Sequence, residues 1–333
     1  MWRPFSLASV LILISAACGG HRVPDAPTPN SPAPQIACPT DVSVAGVPTA
    51  DAPVTFDPPT VSGGTVPVQV SCSAESGSRF PLGETTVQCS ASDSAARTAS
   101  CSFRITLKGF LIGIKTLEAF GDSLTAGEVG RPALSSFNEI DVPNAYPTRL
   151  QQLIDASYPG QGVAVINRGH SGDKGDQTDS LIRVFAATDR PDVVLLLTGF
   201  NDLAQPCGAN GAGSGACRDG IYNVGTNVRS CIRRAREVDS ALKYVFVSTL
   251  TPPGSTGSNR IERNAISQAN DQIRQVVATE RATLVDSYAV FLGREAEYVN
   301  SDGLHLTPEG YRALAGAFFR AIQSTVPQTP LLR

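Results

Sequence analysis

The sequence predicts an α/β protein, a parallel sheet between two layers of helices, preceded by a small all-β domain. From about residue 116 onward, strand-like and helix-like stretches alternate, the pattern of a parallel sheet with helices on both faces. Val193-Val194-Leu195-Leu196-Leu197 is continuously apolar instead of alternating, as a central strand buried on both sides requires. Ahead of it, from Cys38 to about Lys108, short alternating runs are broken by Gly and Ser clusters, the signature of a small β-sandwich. A length of 333 residues exceeds the usual single domain and agrees with two.

Met1-Trp2-Arg3 places one positive side chain ahead of Leu7-Ala8-Ser9-Val10-Leu11-Ile12-Leu13-Ile14, an apolar run too short to span a bilayer comfortably. It reads as the core of a secretory signal. The run ends in Ser15-Ala16-Ala17-Cys18-Gly19-Gly20, which resembles the lipobox of bacterial lipoproteins, in which small residues precede a cysteine that is lipidated and becomes the new N-terminus. Ser15 departs from the Leu which that pattern prefers. Residues 1–18 are therefore expected to direct export, with Cys18 lipidated and the mature chain anchored to a bacterial membrane, periplasmic or at the cell surface. Ordinary signal cleavage is the alternative and gives a secreted protein.

Residues 19–37 include Val23-Pro24-Asp25-Ala26-Pro27-Thr28-Pro29-Asn30-Ser31-Pro32-Ala33-Pro34, a stretch with almost no apolar bulk that reads as an extended, semi-rigid spacer. The sandwich, 38–108, carries runs such as Val66-Pro67-Val68-Gln69-Val70 and Thr85-Thr86-Val87-Gln88-Cys89 and has no Trp or Tyr. So short a segment cannot build a large core, and covalent staples are expected. Its cysteines, Cys38, Cys72, Cys89 and Cys101, allow three connectivities on spacing alone. Cys38-Pro39, Gly77-Ser78-Arg79-Phe80-Pro81-Leu82-Gly83, Thr85 to Cys89, Ser92-Asp93 and Thr98-Ala99-Ser100-Cys101-Ser102-Phe103 resemble the hyalin-repeat (HYR) module, an immunoglobulin-like fold. That resemblance implies the pairs Cys38–Cys101 and Cys72–Cys89.

The α/β segment, 116–326, offers strands at Leu117–Phe120, Val163–Asn167, Val193–Thr198, Tyr244–Ser248 and Thr283–Ser287. Helices are predicted over Tyr146–Ser157, Thr178–Thr188, Asn227–Leu242, Glu262–Glu280 and Pro308–Ser324. The last has a clear start: Thr307 can cap it, Pro308 suits its first position, and Glu309 favours its positive end. Cys207 and Cys217 enclose a flexible Gly-rich loop that a disulfide would restrain, and Cys231 falls on a helix as an expected buried free thiol. A bridge from Cys231 to Cys207 or Cys217 is the alternative.

A net charge of -3 excludes a generally basic surface, so nucleic acid is not an expected partner. No paired His or Cys ligand spacing points to a metal, and no cofactor is expected. What remains is nucleophilic chemistry. Gly121-Asp122-Ser123-Leu124 follows an apolar strand, and Asp302-Gly303-Leu304-His305 puts a carboxylate three residues before an imidazole. A serine hydroxyl needs a base within hydrogen-bond reach, and the base works best with a carboxylate on its other nitrogen. The chain has three histidines, and His21 lies in the spacer, so the base is His305 or His170. The carboxylate motif favours His305.

Four separated blocks resemble the SGNH, or GDSL, family of esterases and lipases: Gly121 to Leu124, Asn167-Arg168-Gly169-His170-Ser171-Gly172, Gly199-Phe200-Asn201-Asp202, and Asp302 to His305. They stand in the family's order. The resemblance implies Ser123 as nucleophile, His305 as base, Asp302 orienting it, and an oxyanion hole from the backbone N–H groups of Ser123 and Gly172 with the Asn201 amide. Asp122 and Asp202 are expected to order the loops, Gly199 to belong to the third block, and His170 to line the pocket without acting as base. It further implies a three-layer α/β/α fold and hydrolysis of a small-molecule or glycan-borne ester, with polysaccharide O-deacetylation as the nearest alternative.

Ala126–Asn144 is read as one pocket wall, with Phe137, Ile140 and Val142 favouring an acyl chain. A different class of function is adhesion, with the HYR-like module binding a protein or matrix partner and the hydrolase segment degenerate.

Overall fold

A computed structural model describes residues 31–47, 51–130, 139–208 and 213–331. The signal segment with Cys18, most of the spacer, His21 and Phe137 lie outside the described residues. Two compact units share the chain: one holds described residues up to Cys38 with Pro59–Ser73 and Gln88–Cys101, the other Pro39–Pro58, Ala74–Val87 and residues from Ser102 onward.

The N-terminal region is all-β: β1 (Gln35–Ala37), β2 (Val42–Ala45), β3 (Asp51–Pro53), β4 (Thr60–Ser62), β5 (Gln69–Cys72), β6 (Arg79–Pro81), β7 (Gly83–Ser92) and β8 (Thr98–Lys108). In the first unit, β1 pairs antiparallel with β4 and β5 with β7. Both of its disulfides, Cys38–Cys101 and Cys72–Cys89, are formed. In the second, β2 pairs parallel with β8 and β3 antiparallel with β6. Burial alternates along the two long strands, with Val87, Cys89 and Ala91 inward on β7 and Phe103, Ile105 and Leu107 inward on β8. Phe56 packs edge-on to Phe103 at 4.9 Å, an aromatic centre for a segment without Trp or Tyr.

The second unit continues through β9 (Phe110–Ile112), β10 (Thr116–Gly121), α1 (Ser123–Ala126), α2 (Tyr146–Ser157), β11 (Ala164–Gly169), α3 (Gly175–Asp189), β12 (Val193–Leu197), α4 (Phe200–Ala204) and α5 (Gly215–Val238). It ends with β13 (Tyr244–Ser248), α6 (Arg263–Thr279), β14 (Thr283–Val285), α7 (Ser287–Phe291), α8 (Glu295–Tyr298), α9 (Pro308–Thr325) and β15 (Gln328–Pro330). The main sheet has the order β11-β10-β12-β13-β14 and is parallel throughout. All five residues of β12 are buried, which is why its sequence does not alternate. α3, α5 and α6 pack in one helical row, and α2 packs on α9, where Tyr146 stacks on Phe318 at 4.9 Å.

Because β10 lies between β11 and β12, the chain steps one way for its first crossover and the other way afterwards. That reversal opens a crevice beyond the carboxyl ends of these strands, where ligands bind in open α/β sheets.

Among the differences from the sequence expectation, two have a clear local cause. α5 begins at Gly215, well before Asn227, and ends at Val238. Its first half contains Gly220 and Gly225, poor helix formers that hide it from propensity. The structure shows what they do: a Cβ on Gly220 would lie 2.8 Å from the Asp202 carbonyl, and one on Gly225 would lie 3.0 Å from Gln272. β14 stops at Val285, because the Asp286 side chain accepts from the Ala289 N–H and starts α7.

Candidate active site

The crevice gathers residues from the ends of three strands and from the loop before α9. At the end of β10 the chain passes so close to β12 that a Cβ on Gly121 would sit 1.9 Å from the Leu197 carbonyl oxygen. Asp122 then caps α1, its side chain accepting the Leu124 N–H at 3.1 Å, and Ser123 begins the helix. β11 is held against the same helix by Asn167, whose amide donates to the Thr125 carbonyl at 2.9 Å. Gly169 allows that approach: a Cβ there would meet the Ala126 nitrogen at 2.2 Å. Gly172 follows with φ of +88° and open space around it.

From β12, Gly199 leads into α4 with φ of +125°, a conformation that favours glycine. Asn201, one residue inside α4, donates from its amide to the Asp173 carbonyl at 2.9 Å. Asp202 accepts from the Gly175 N–H at 3.0 Å and the Asn227 amide at 2.8 Å, joining the starts of α3 and α4 to α5.

His305 lies in the loop ahead of α9, whose start is fixed by Thr307 accepting the Gly310 N–H at 3.1 Å. Its Nε2 is 3.0 Å from Ser123 Oγ, across 182 positions of sequence. Its Nδ1 is 2.5 Å from Asp302 Oδ2. The other Asp302 oxygen accepts the backbone N–H groups of Leu304 at 3.1 Å and His305 at 3.0 Å. These local bonds let a three-residue spacing bring the carboxylate back to the ring.

Burial alone would lower the His305 pKa, but the bond to Asp302 and the charges of Asp302, Glu128 and Asp122 outweigh it and raise the value. Burial likewise pushes Asp302 upward, and the His305 bond with the backbone donors brings it below the ordinary carboxylate value. Burial drives Asp122 up to about 7. The arrangement can therefore take a proton from Ser123 and hold the resulting imidazolium.

Ser123 and His305 open onto a cavity of about 440 Å³, also lined by Gly172 and Asn201. Among the described residues, its remaining wall carries the polar side chains of Glu128, Ser171, Ser258, Asn259 and Arg260 beside Ala204, Gly208 and Leu304. Of the expected acyl wall over Ala126–Asn144, Ile140 and Val142 are exposed and outside the cavity lining, whereas Glu128 of the same stretch lines it. His170 is also displaced from its expected place: its side chain is 71% exposed, outside the cavity lining. It does have a carboxylate partner, Asp173 Oδ1 at 2.7 Å, set by the turn rather than by a recognisable motif.

Three residues of the site were missed from sequence. Glu128 faces His305; Asn259 donates to Asp302 Oδ2 at 3.1 Å; Asn300 donates to the carbonyls of Val129 at 2.7 Å and Leu306 at 2.9 Å, tying the two reactive loops together. Glu128, five residues after Ser123, and Asn300, two before Asp302, lay close to motifs, whereas Asn259 lay far from any. Cys207 and Cys217 are bridged beside the cavity residues Ala204 and Gly208. Cys231 is free and buried, its thiol pKa pushed up by desolvation, which makes it inert.

Residues 119–313 match the model of the GDSL-like Lipase/Acylhydrolase family, and residues 30–107 match the HYR domain. The chain is similar to a spore germination lipase, LipC, of Bacillus licheniformis, 38% identical over 50 residues that make 15% of this chain and 24% of that protein. It thus spans about a quarter of that relative's length. Among solved structures it is similar to Axe2, an acetylxylan esterase from Geobacillus stearothermophilus, at 22% identity and a TM-score of 0.48 over 63% of this chain and 94% of that one. A lipase/acylhydrolase from Enterococcus faecalis gives 23% identity and a TM-score of 0.49 over 64% and 98%.

Proposed function

The chain belongs to the GDSL-like lipase/acylhydrolase family, and from that premise we propose that it is an exported serine esterase working through an acyl-enzyme on Ser123. The observation that carries this reading is the continuous relay of Ser123 Oγ, His305 and Asp302 at 3.0 and 2.5 Å, opening onto a cavity. His305 Nε2 takes the Ser123 proton as Oγ attacks the ester carbonyl. The oxyanion is met by the Ser123 and Gly172 N–H groups and the Asn201 amide, which keeps one N–H beyond its bond to Asp173. His305 then protonates the leaving alcohol, and water activated by the same ring releases the acid.

The polar cavity wall supports a short acyl group and a hydroxyl-rich alcohol over a long hydrocarbon chain. O-Deacetylation of a glycan is the member of this reaction class that fits it best. The test is hydrolysis of p-nitrophenyl esters of increasing acyl length, beside Ser123→Ala. Turnover that falls steeply beyond acetate, and that Ser123→Ala abolishes with its circular dichroism unchanged, is expected. No turnover of any ester by the folded protein refutes the reading and favours adhesion through the HYR region.

Export and anchoring rest on residues 1–18 and the small residues before Cys18. Cys18→Ser is expected to move the protein from the membrane fraction to the soluble exported fraction.

A further inference from the structure

Glu128 is a buried carboxylate in the wall of the reactive cavity that the relay of Ser123, His305 and Asp302 does not use. Its Oε1 lies 3.3 Å from His305 Nε2, and both side chains are only 4% exposed. Among the described residues that oxygen has no hydrogen-bond partner. The backbone holds it in place: the Glu128 N–H donates to the Ser123 carbonyl at 2.9 Å, and its own carbonyl accepts the Tyr311 hydroxyl at 2.5 Å. A buried carboxylate oxygen without a partner is costly unless it gains one at some stage of function.

We infer that Glu128 is a second carboxylate of the reacting centre, accepting a hydrogen bond from His305 Nε2 while that nitrogen carries the proton taken from Ser123. The inference rests on the serine-esterase reading above. In the resting state the Nε2 lone pair accepts the Ser123 hydroxyl and offers Glu128 nothing. When the Oγ–acyl bond forms, the proton passes to Nε2 and the carbonyl oxygen takes the negative charge. Oγ, now bonded to the tetrahedral carbon, has given up its proton and is a poor acceptor, and Glu128 takes over the Nε2–H. When the bond to the alcohol breaks, the proton leaves with the alcohol, and Glu128 returns to its starting state with no change of charge. The contact is strongest when charge has developed, which is what accelerates a step.

The groups facing His305 come from every side of the site. Asp302 is at Nδ1 in the same loop, Asp122 stands at the β10–α1 junction, and Glu128 follows α1. Tyr311 of α9 reaches Glu128 rather than the ring, and Arg260, in the same cavity wall, is paired with Glu262 at 3.3 Å. Glu128 is thus the carboxylate placed at the nitrogen that moves the proton.

The experiment combines kinetics on p-nitrophenyl acetate with NMR titration of 15N-histidine-labelled protein, readable because the chain has three histidines. Glu128→Gln is expected to lower the His305 titration by about one pH unit, within the range that one nearby opposite charge produces. The same difference predicts a fall in kcat of about tenfold with KM unchanged. The acidic limb of kcat/KM moves down with the titration, and Glu128→Asp restores part of both. A His305 titration unchanged in Glu128→Gln overturns the inference, as does a kcat loss with the acidic limb in place, which marks a packing role only. Absence of turnover by the unmodified protein refutes the esterase reading and any catalytic role for Glu128 with it; an unmoved titration refutes Glu128 alone.

Discussion

Gly169→Ala tests whether the position of Ser123 depends on the close seat of β11 against α1. The added methyl would lie 2.2 Å from the Ala126 nitrogen, 2.5 Å from the Thr125 carbonyl carbon and 2.8 Å from Thr125 Cβ. None of these is the tip of a flexible side chain, so the backbone must give. Reaching ordinary van der Waals contact requires about 1 Å of separation between β11 and α1. Overpacking of this kind costs about 1–3 kcal/mol. For a domain of this size that lowers Tm by roughly 2–4 °C per kcal/mol. The catalytic effect is larger, since misplacing a reacting group by about 1 Å costs around a hundredfold. Because α1 carries Ser123 but not the rest of the cavity wall, the loss is expected in kcat, with KM little changed. The assay is steady-state hydrolysis of p-nitrophenyl acetate beside thermal unfolding by circular dichroism. A Gly169→Ala protein with unaltered kcat and Tm refutes the argument.

Asp302→Asn leaves a neutral partner at His305 Nδ1 and is expected to lower kcat by about 10⁴-fold while preserving the fold, checked by single-turnover kinetics and circular dichroism. The acidic limb of kcat/KM for the unmodified protein is expected above the ordinary imidazole value, because activity needs neutral His305 and its pKa is raised; Asp302→Asn moves that limb down. Asp122 titrates at about 7 when folded, against 3.8 for an ordinary aspartate. Its contribution to stability is full below the unfolded value and is lost as pH rises through about 7. Urea midpoints should therefore fall from about pH 4 to about pH 7 in the unmodified protein and fall less in Asp122→Asn. Parallel pH profiles for the two proteins would contradict this.

The strands and helices of the α/β region were legible because a buried parallel strand is a continuous apolar run and a surface helix repeats at its own period. Val193–Leu197, Tyr146–Ser157 and the capped start at Pro308 are written that way. The proposed catalytic residues were legible for a different reason: each belongs to a short block whose local geometry is self-contained, as Asp302 shows by bonding the backbone of Leu304 and the backbone and ring of His305. The first half of α5 was not, because its glycines serve contacts with Asp202 and Gln272 that no local window contains.

Sequence by itself determined the fold class and the main strands and helices of the α/β region, and picked out Ser123, Asp302 and His305 as the candidate residues. Only the tertiary structure decided which residues surround them. Glu128 turns back onto a histidine far along the chain, Asn300 ties its loop to Val129, Ile140 and Val142 point away, and His170 pairs with Asp173 outside the cavity. A short motif fixes dihedral angles over a few residues, whereas a contact between distant segments is fixed by how sheet and helices pack. The proposed relay could therefore be read from the chain, and the wall of the cavity it opens onto could not.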